Sequence, residues 1–382
     1  MRAILVAAAW AAAIVIPLVF DVQDGAAWLA WLLAAAAFSV FALRSDLGRG
    51  TFVSLSTALL ALLAVEGYLA WTAPAEPWFE GDFESVYYVD HRDLGYGPQP
   101  GGTYRAHKLL GDTTIYDVTY TIDDTGLRRI PDQPPNAPCA VAFFGGSVTF
   151  GEGLEDSQSM PDQVAAQSAG RLRVHNFGFH GYGPHQMLRA LETPLAHDAA
   201  GRKLDAIVYQ GIEAHVERSA GKVPWDLYGP RYRAGGDGLA IHEGPFHGQA
   251  YRSISRALRG WRLFHFFETR VLASGQVTET DFDTYRSILR SARRLARDKF
   301  GGDLIILFWD QGSGSRYAAR LVADLKADGH RLVPVSAIIP DIGSGAGKYV
   351  ISDLDPHPSA LVNRRIGEHM AKMITAERCR GT

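Results

Sequence analysis

One stretch of the chain leaves little freedom: Ala140-Val-Ala-Phe-Phe-Gly-Gly-Ser-Val-Thr-Phe-Gly151. Its first five residues carry no polar side chain, so neither face can be left in water, and the run is too short for a buried helix. The pattern predicts a central strand of a parallel sheet covered on both faces. Gly145 and Gly146 break the run, and the first hydroxyl after the break belongs to Ser147. In open α/β sheets ligands bind at the carboxyl ends of strands, so a serine there is a candidate nucleophile. Its own backbone N–H can face an oxyanion.

A free hydroxyl is a weak nucleophile near neutral pH and needs a base, and the base needs a carboxylate to hold its tautomer. Both residue types stand near the far end, in Ser352-Asp353-Leu-Asp355-Pro-His357, just before an apolar-periodic helix expected at 358–376. Between these points the chain alternates. Strands are expected at 139–144, 172–177, 205–210, 303–308 and 332–335, with helices near 158–169, 184–196, 280–298 and 314–327. That alternation predicts an α/β fold with a parallel sheet between helical layers.

The ordered blocks resemble those of the SGNH (GDSL-type) hydrolases, serine esterases and acyltransferases with a flavodoxin-like three-layer α/β/α fold. Gly145-Gly146-Ser147 resembles the nucleophile block, with Gly146 where the family has aspartate. Asn176-Phe-Gly178-Phe-His180-Gly181 resembles the second block, in which the glycine at Gly181 donates a backbone N–H to the oxyanion hole. Asp355-Pro-His357 resembles the terminal block, although the common spacing places the acid three residues before the histidine, and Asp353 is the reserve acid. The third block departs further. Where the family carries an asparagine this chain has Glu213, and an ionised carboxylate cannot donate to an oxyanion. His215, Gln210 or a second backbone N–H would have to compensate. The resemblance implies Ser147, His357 and Asp355 as catalytic residues, and an oxyanion hole at Ser147, Gly181 and, as a candidate, His215. Candidate pocket residues are Gly146, Glu213, Arg218 and His185.

The resemblance covers about 138–376 of an expected catalytic domain at 138–382, with an excursion at about 216–279 that interrupts the alternation and is expected to shape the pocket or cap it. Residues 74–137 form a small β-rich segment, in which Thr113-Thr-Ile-Tyr-Asp-Val-Thr-Tyr-Thr-Ile122 alternates at period two, as a hairpin strand does. Residues 1–73 hold apolar stretches at 3–20, 26–43 and about 52–71, each near the length of a membrane crossing. They predict three transmembrane helices. Arg2, Arg44 and Arg49 flank them on one side, while Asp21 and Asp24 lie in the loop between the first two. Positive-inside logic then places the amino terminus in the cytoplasm and the catalytic domain outside, on the periplasmic or extracellular face of the inner membrane. Glu66 lies inside the third stretch, where a snorkelled or neutral carboxyl is expected.

A net charge of −3 with no basic tract argues against nucleic acid. The 13 histidines show no metal-ligand spacing, and no phosphate loop is present, so neither metal nor cofactor is expected. Cys139 and Cys379 could meet at the lower edge of the expected fold, or remain separate thiols. The expected partners are an acylated glycan or other ester, the bilayer and, for a transferase, a membrane partner delivering the acyl donor. The alternatives are a non-catalytic glycan-binding or envelope-assembly protein, motivated by Glu213, and a lipase or lysophospholipase.

Overall fold

The computed structural model describes residues 2–19, 25–43, 46–134, 136–201, 203–258, 260–272, 276–311, 316–343 and 347–379. Arg44, Asp21 and Asp24 of the charge pattern lie outside them. The chain divides into two compact units, Met1–Ala75 with His247–Gly275, and Glu76–Phe246 with Gln276–Thr382.

The first unit contains helices α1 (Arg2–Val19), α2 (Gly25–Ala42) and α3 (Asp46–Thr72). Among the described residues two helical stretches, Gly25–Ala42 and Gly50–Thr72, are long and apolar enough to cross a membrane. The expectation of three is corrected to two. The apolar part of α1, Ile4–Ile16, is shorter, about 20 Å of helix against a hydrocarbon core of about 30 Å. Small residues close the seam within this unit: Ala35, Ala36 and Ser39 are buried, and Trp10 Nε1 donates to Ser39 Oγ at 3.1 Å.

The later half of the excursion belongs to this unit and includes two helices, Gln249–Leu258 and Arg262–Phe267. Glu66 does not snorkel. It is 1% exposed and accepts the backbone N–H groups of Arg262 at 2.5 Å and Leu263 at 2.8 Å. Those are donors of a helix's first turn, which have no partner inside the helix, so the carboxylate caps a helix distant in sequence. Gly25 is required beside it, because a Cβ there would lie 2.7 Å from both Glu66 Oε1 and the Trp261 ring.

The second unit is built on a five-stranded parallel sheet. Ahead of it in the chain run β1 (Gly102–Leu110) and β2 (Thr113–Ile122), paired antiparallel, with a register shift between Lys108 and Leu109. The sheet strands are β3 (Cys139–Phe144), β4 (Leu172–Asn176), β5 (Ala206–Gly211), β6 (Leu304–Phe308) and β7 (Arg331–Pro334), in the order β7-β6-β5-β3-β4. Every residue of β3 is buried, and alternate side chains serve opposite cores: Ala140, Ala142 and Phe144 on one face, Val141 and Phe143 on the other. This is the doubly wound, flavodoxin-like order, whose direction reverses between β3 and β5, and the crevice at their carboxyl ends is where such folds bind ligands. At the opposite ends of the strands Cys139 and Cys379 form a disulfide, with Cα atoms 6.0 Å apart. Both cysteines are buried in the core beneath the final helix, Ala360–Arg378.

Candidate active site

Ser147 opens a single helical turn, Ser147–Phe150, directly after β3. A side chain at Gly145 would collide with Thr149 Oγ1, and Gly151, at φ 89°, ends the turn in the left-handed region with its N–H on Ser147 O at 2.8 Å. The turn is clamped from a distance. Arg128, 2% exposed, donates to the carbonyls of Phe150 at 2.7 Å, Gly151 at 2.6 Å and Leu154 at 2.5 Å, and through Nε to Asp156 at 3.1 Å.

His357 reaches Ser147 Oγ with Nε2 at 2.8 Å, and its Nδ1 lies 2.6 Å from Asp355 Oδ1. The tautomer that satisfies both bonds carries its proton on Nδ1, leaving Nε2 to accept from the hydroxyl. The two-residue spacing works because Asp355 Oδ1 also accepts the backbone N–H of His357 at 3.0 Å, folding Asp355-Pro356-His357 into an Asx turn. Asp353 is exposed and takes no part.

Behind this array lies a network that the sequence pattern did not reveal. Lys108, beside the register shift of β1, donates to Asp355 Oδ2 at 3.1 Å and to Glu152 Oε1 at 3.3 Å. Glu152 Oε2 lies 2.7 Å from His180 Nδ1 and 3.7 Å from His357 Nε2, and Tyr116 donates to its other oxygen at 3.3 Å. Burial works against every charge here, and the partners outweigh it. For His357, the hydrogen bond to Asp355 and the charges of Glu152 and Asp355 raise the pKa above 6.5. For Glu152, burial is overcome by His180, His357 and Lys108, which hold its carboxyl far below the usual range. Asp355 is lowered too, where burial loses to its bonds from His357 and the charge of Lys108. Glu152, Asp355 and His357 place ligand atoms within 4.8 Å of one another. The Lys108 ammonium, bonded to two of the three, makes that cluster a poor seat for a metal cation.

The remaining sequence candidates divide. Gly181, at φ 74°, lies under Tyr96 and Trp225, where a Cβ would meet Tyr96 Oη at 2.5 Å and Trp225 Nε1 at 2.6 Å. Gln210 is turned away, accepting from Thr149 Oγ1 at 2.6 Å. His185 is not a pocket residue: it is fully buried, with Nε2 2.7 Å from Asp226. The helix opening at Pro184 points that ring into the domain, and Gln186 donates to the same carboxylate at 2.7 Å. His215 is also buried, its Nδ1 2.5 Å from Tyr209 Oη. Burial, then the neighbouring Arg218 and His185, push its pKa well below 6.5, so its ring is neutral. Glu213 accepts the Arg316 backbone N–H at 2.9 Å and stands in the wall of a cavity of about 450 Å³. Ser147, His357, Arg218, Glu217, Trp309 and Tyr317 line the same cavity.

A hydroxyl hydrogen-bonded to a base that is itself held by a carboxylate, opening on a cavity, can attack an acyl carbon and shuttle the released proton. No family model and no curated protein matches the chain. Solved structures do. One is an alpha/beta hydrolase enzyme from the metagenome of Lake Arreo, at TM-score 0.37 and 15% identity, covering 64% of this chain and 98% of that one. A member of the lipolytic protein G-D-S-L family from Veillonella parvula matches at TM-score 0.35 and 13% identity, covering 63% and 99%. A carbohydrate acetylesterase family member from Sinorhizobium meliloti matches at TM-score 0.31 and 13% identity, covering 62% and 98%. The chain is thus similar, over somewhat more than three fifths of its length, to lipolytic G-D-S-L proteins and carbohydrate acetylesterases that are shorter than itself.

Proposed function

We propose that this protein is a membrane-anchored serine esterase that removes or transfers ester-linked acyl groups, such as acetyl, on a glycan outside the cytoplasm. The observation that carries the reading is the bonded series Ser147 Oγ, His357 Nε2, His357 Nδ1, Asp355 Oδ1 at the wall of a cavity. In it Ser147 attacks the ester carbonyl, His357 takes the proton and returns it to the leaving alkoxide, and Asp355 stabilises the imidazolium. The glycan assignment is supported by Trp309 and Tyr317, whose ring faces suit the C–H faces of a sugar, beside the carboxylates of Glu213 and Glu217, which can accept from its hydroxyls. The Cys139–Cys379 disulfide supports an oxidising compartment.

Ser147→Ala is expected to abolish fluorophosphonate labelling and turnover of an acetyl ester; equal labelling of both proteins would overturn the assignment. Products measured with and without a sugar acceptor separate hydrolysis from transfer to a hydroxyl, the latter requiring an acyl donor on the outer face. Sidedness has its own test. Two crossings place the amino terminus and the catalytic unit on the same side and three on opposite sides, so a reporter at each end distinguishes them.

A further inference from the structure

Among the described residues Arg218 is a pocket cation with no ion pair: burial disfavours its charge, and the more distant carboxylates of Asp226 and Glu152 offset that only in part. It lies on the short helix His215–Ser219 that follows β5, across the topological switch point from Ser147. Its Nη1 donates to the Tyr182 carbonyl at 2.8 Å, its Nε is buried without a partner, and among the described residues no carboxylate pairs with it. Its guanidinium lies 5.8 Å from the centre of the Trp225 ring, which covers Gly181. A buried cation bonded only to a neutral carbonyl is expensive unless an anion arrives to balance it.

The surroundings show where that anion would be. A Cβ on Gly146 would lie 2.7 Å from Arg218 Nη1, 3.1 Å from Tyr182 O and 3.4 Å from His215 Nε2, a buried nitrogen that also lacks a partner. The guanidinium therefore occupies the space that a side chain at 146 would fill, directly against the backbone that presents Ser147. The same guanidinium is tied to Tyr182, the residue after Gly181. Glu213, the residue that stands where a neutral donor was expected, bonds to Arg316.

We propose that Arg218 is the charged donor of the oxyanion site, admitted there by the missing side chain of Gly146. The proposal rests on the esterase reading and assigns it a residue. When Ser147 Oγ bonds to the carbonyl carbon, the C=O π pair moves onto the carbonyl oxygen and the serine proton passes to His357 Nε2. Arg218 balances the resulting alkoxide. On collapse the π bond re-forms, the bond to the leaving oxygen breaks, and that oxygen takes the proton from His357. The pairing of a glycine at 146 with an arginine at 218 thereby replaces a neutral amide donor with a cation.

The test uses the full-length protein in detergent with a neutral acetyl ester. Arg218→Gln is expected to lower kcat by about 10²- to 10³-fold, the effect of losing one oxyanion donor, with little change in KM. Gly146→Ala, whose methyl pushes on the mobile end of the guanidinium, should lose activity in the same direction. Guanidinium ion added to Arg218→Ala should restore part of the rate, which a purely structural role would not allow. Arg218→Gln that folds and keeps its kcat overturns the proposal, as does a loss confined to KM with carboxylate-bearing esters, because Arg218 would then read a substrate anion. If Arg218→Gln fails to fold, Gly146→Ala with an unchanged kcat overturns it instead. These failures differ from failure of the esterase reading, in which the wild type shows no turnover that depends on Ser147.

Discussion

Each unit of this protein holds a glutamate carboxylate largely out of solvent, and the two are satisfied in opposite ways. Glu66 in the helical unit accepts two backbone N–H groups at the start of a helix. Glu152 in the sheet-based unit is surrounded by Lys108, His180, Tyr116 and His357, most of them titratable near the hydroxyl of Ser147. Backbone donors do not ionise and move only with the fold, so a carboxylate held by them is a fastener. A carboxylate held by ionisable side chains changes their protonation as it changes its own, so it tunes chemistry. The same residue type, 1% exposed at Glu66 and with a side chain 12% exposed at Glu152, takes its role from what donates to it.

The comparison can be broken from either side. The largest effect is expected at the base: His357→Gln should lower kcat by roughly 10⁴- to 10⁶-fold, the range for removing one member of a cooperating triad, without unfolding the protein. Near-normal turnover of an acetyl ester by this variant would remove the chemical half of the contrast. Next comes Arg128, which is a fastener inside the sheet-based unit. Arg128→Met strands three carbonyls and Asp156, and should destabilise that unit by about 3 kcal/mol in urea unfolding, the cost of leaving buried polar groups unpaired. A loss of activity with no loss of stability would move Arg128 to the other class.

Glu66→Ala should cost about 1–2 kcal/mol of local stability, as loss of a helix cap does, and speed amide exchange at Arg262 and Leu263. Unchanged exchange at those two amides would show that the cap does not hold the helix. The smallest effect is a shift in pH dependence. His357 must be neutral to accept the serine proton, and its pKa is raised, so kcat/KM should fall as pH drops through a value above 6.5. Glu152→Gln removes a negative charge that favours the imidazolium, so the acid limb should move to lower pH. An unmoved limb would mean that His357 does not feel Glu152.

What could be read in the sequence was local. The β3 strand, the turn at Gly145-Gly146-Ser147 and the spacing of Asp355 and His357 are signals within a dozen residues, and the five sheet strands lie within a residue or two of their expected bounds. Lys108, Arg128 and Glu152 were not singled out, because each acts on groups that only the fold brings near. For Lys108 and Asp355 the separation is 247 residues. His185 shows the reverse error: its position beside Gly183-Pro184 suggested the pocket edge, and helix direction carried it into the core against Asp226.

Which backbone the chain builds is legible along its length, because strand period, glycine breaks and apolar length act on neighbouring residues. The sequence also marked the serine, the histidine and the aspartate that the fold brings into one bonded series. What surrounds them depends on how the chain packs. Read one at a time, Glu213 is a missing donor and Gly146 a missing side chain, yet the space at Gly146 is filled by Arg218 from the short helix after β5. Burial and charge depend on three-dimensional distance, and a linear chain does not specify which of its many charged residues will lie within a few ångströms of a given oxygen.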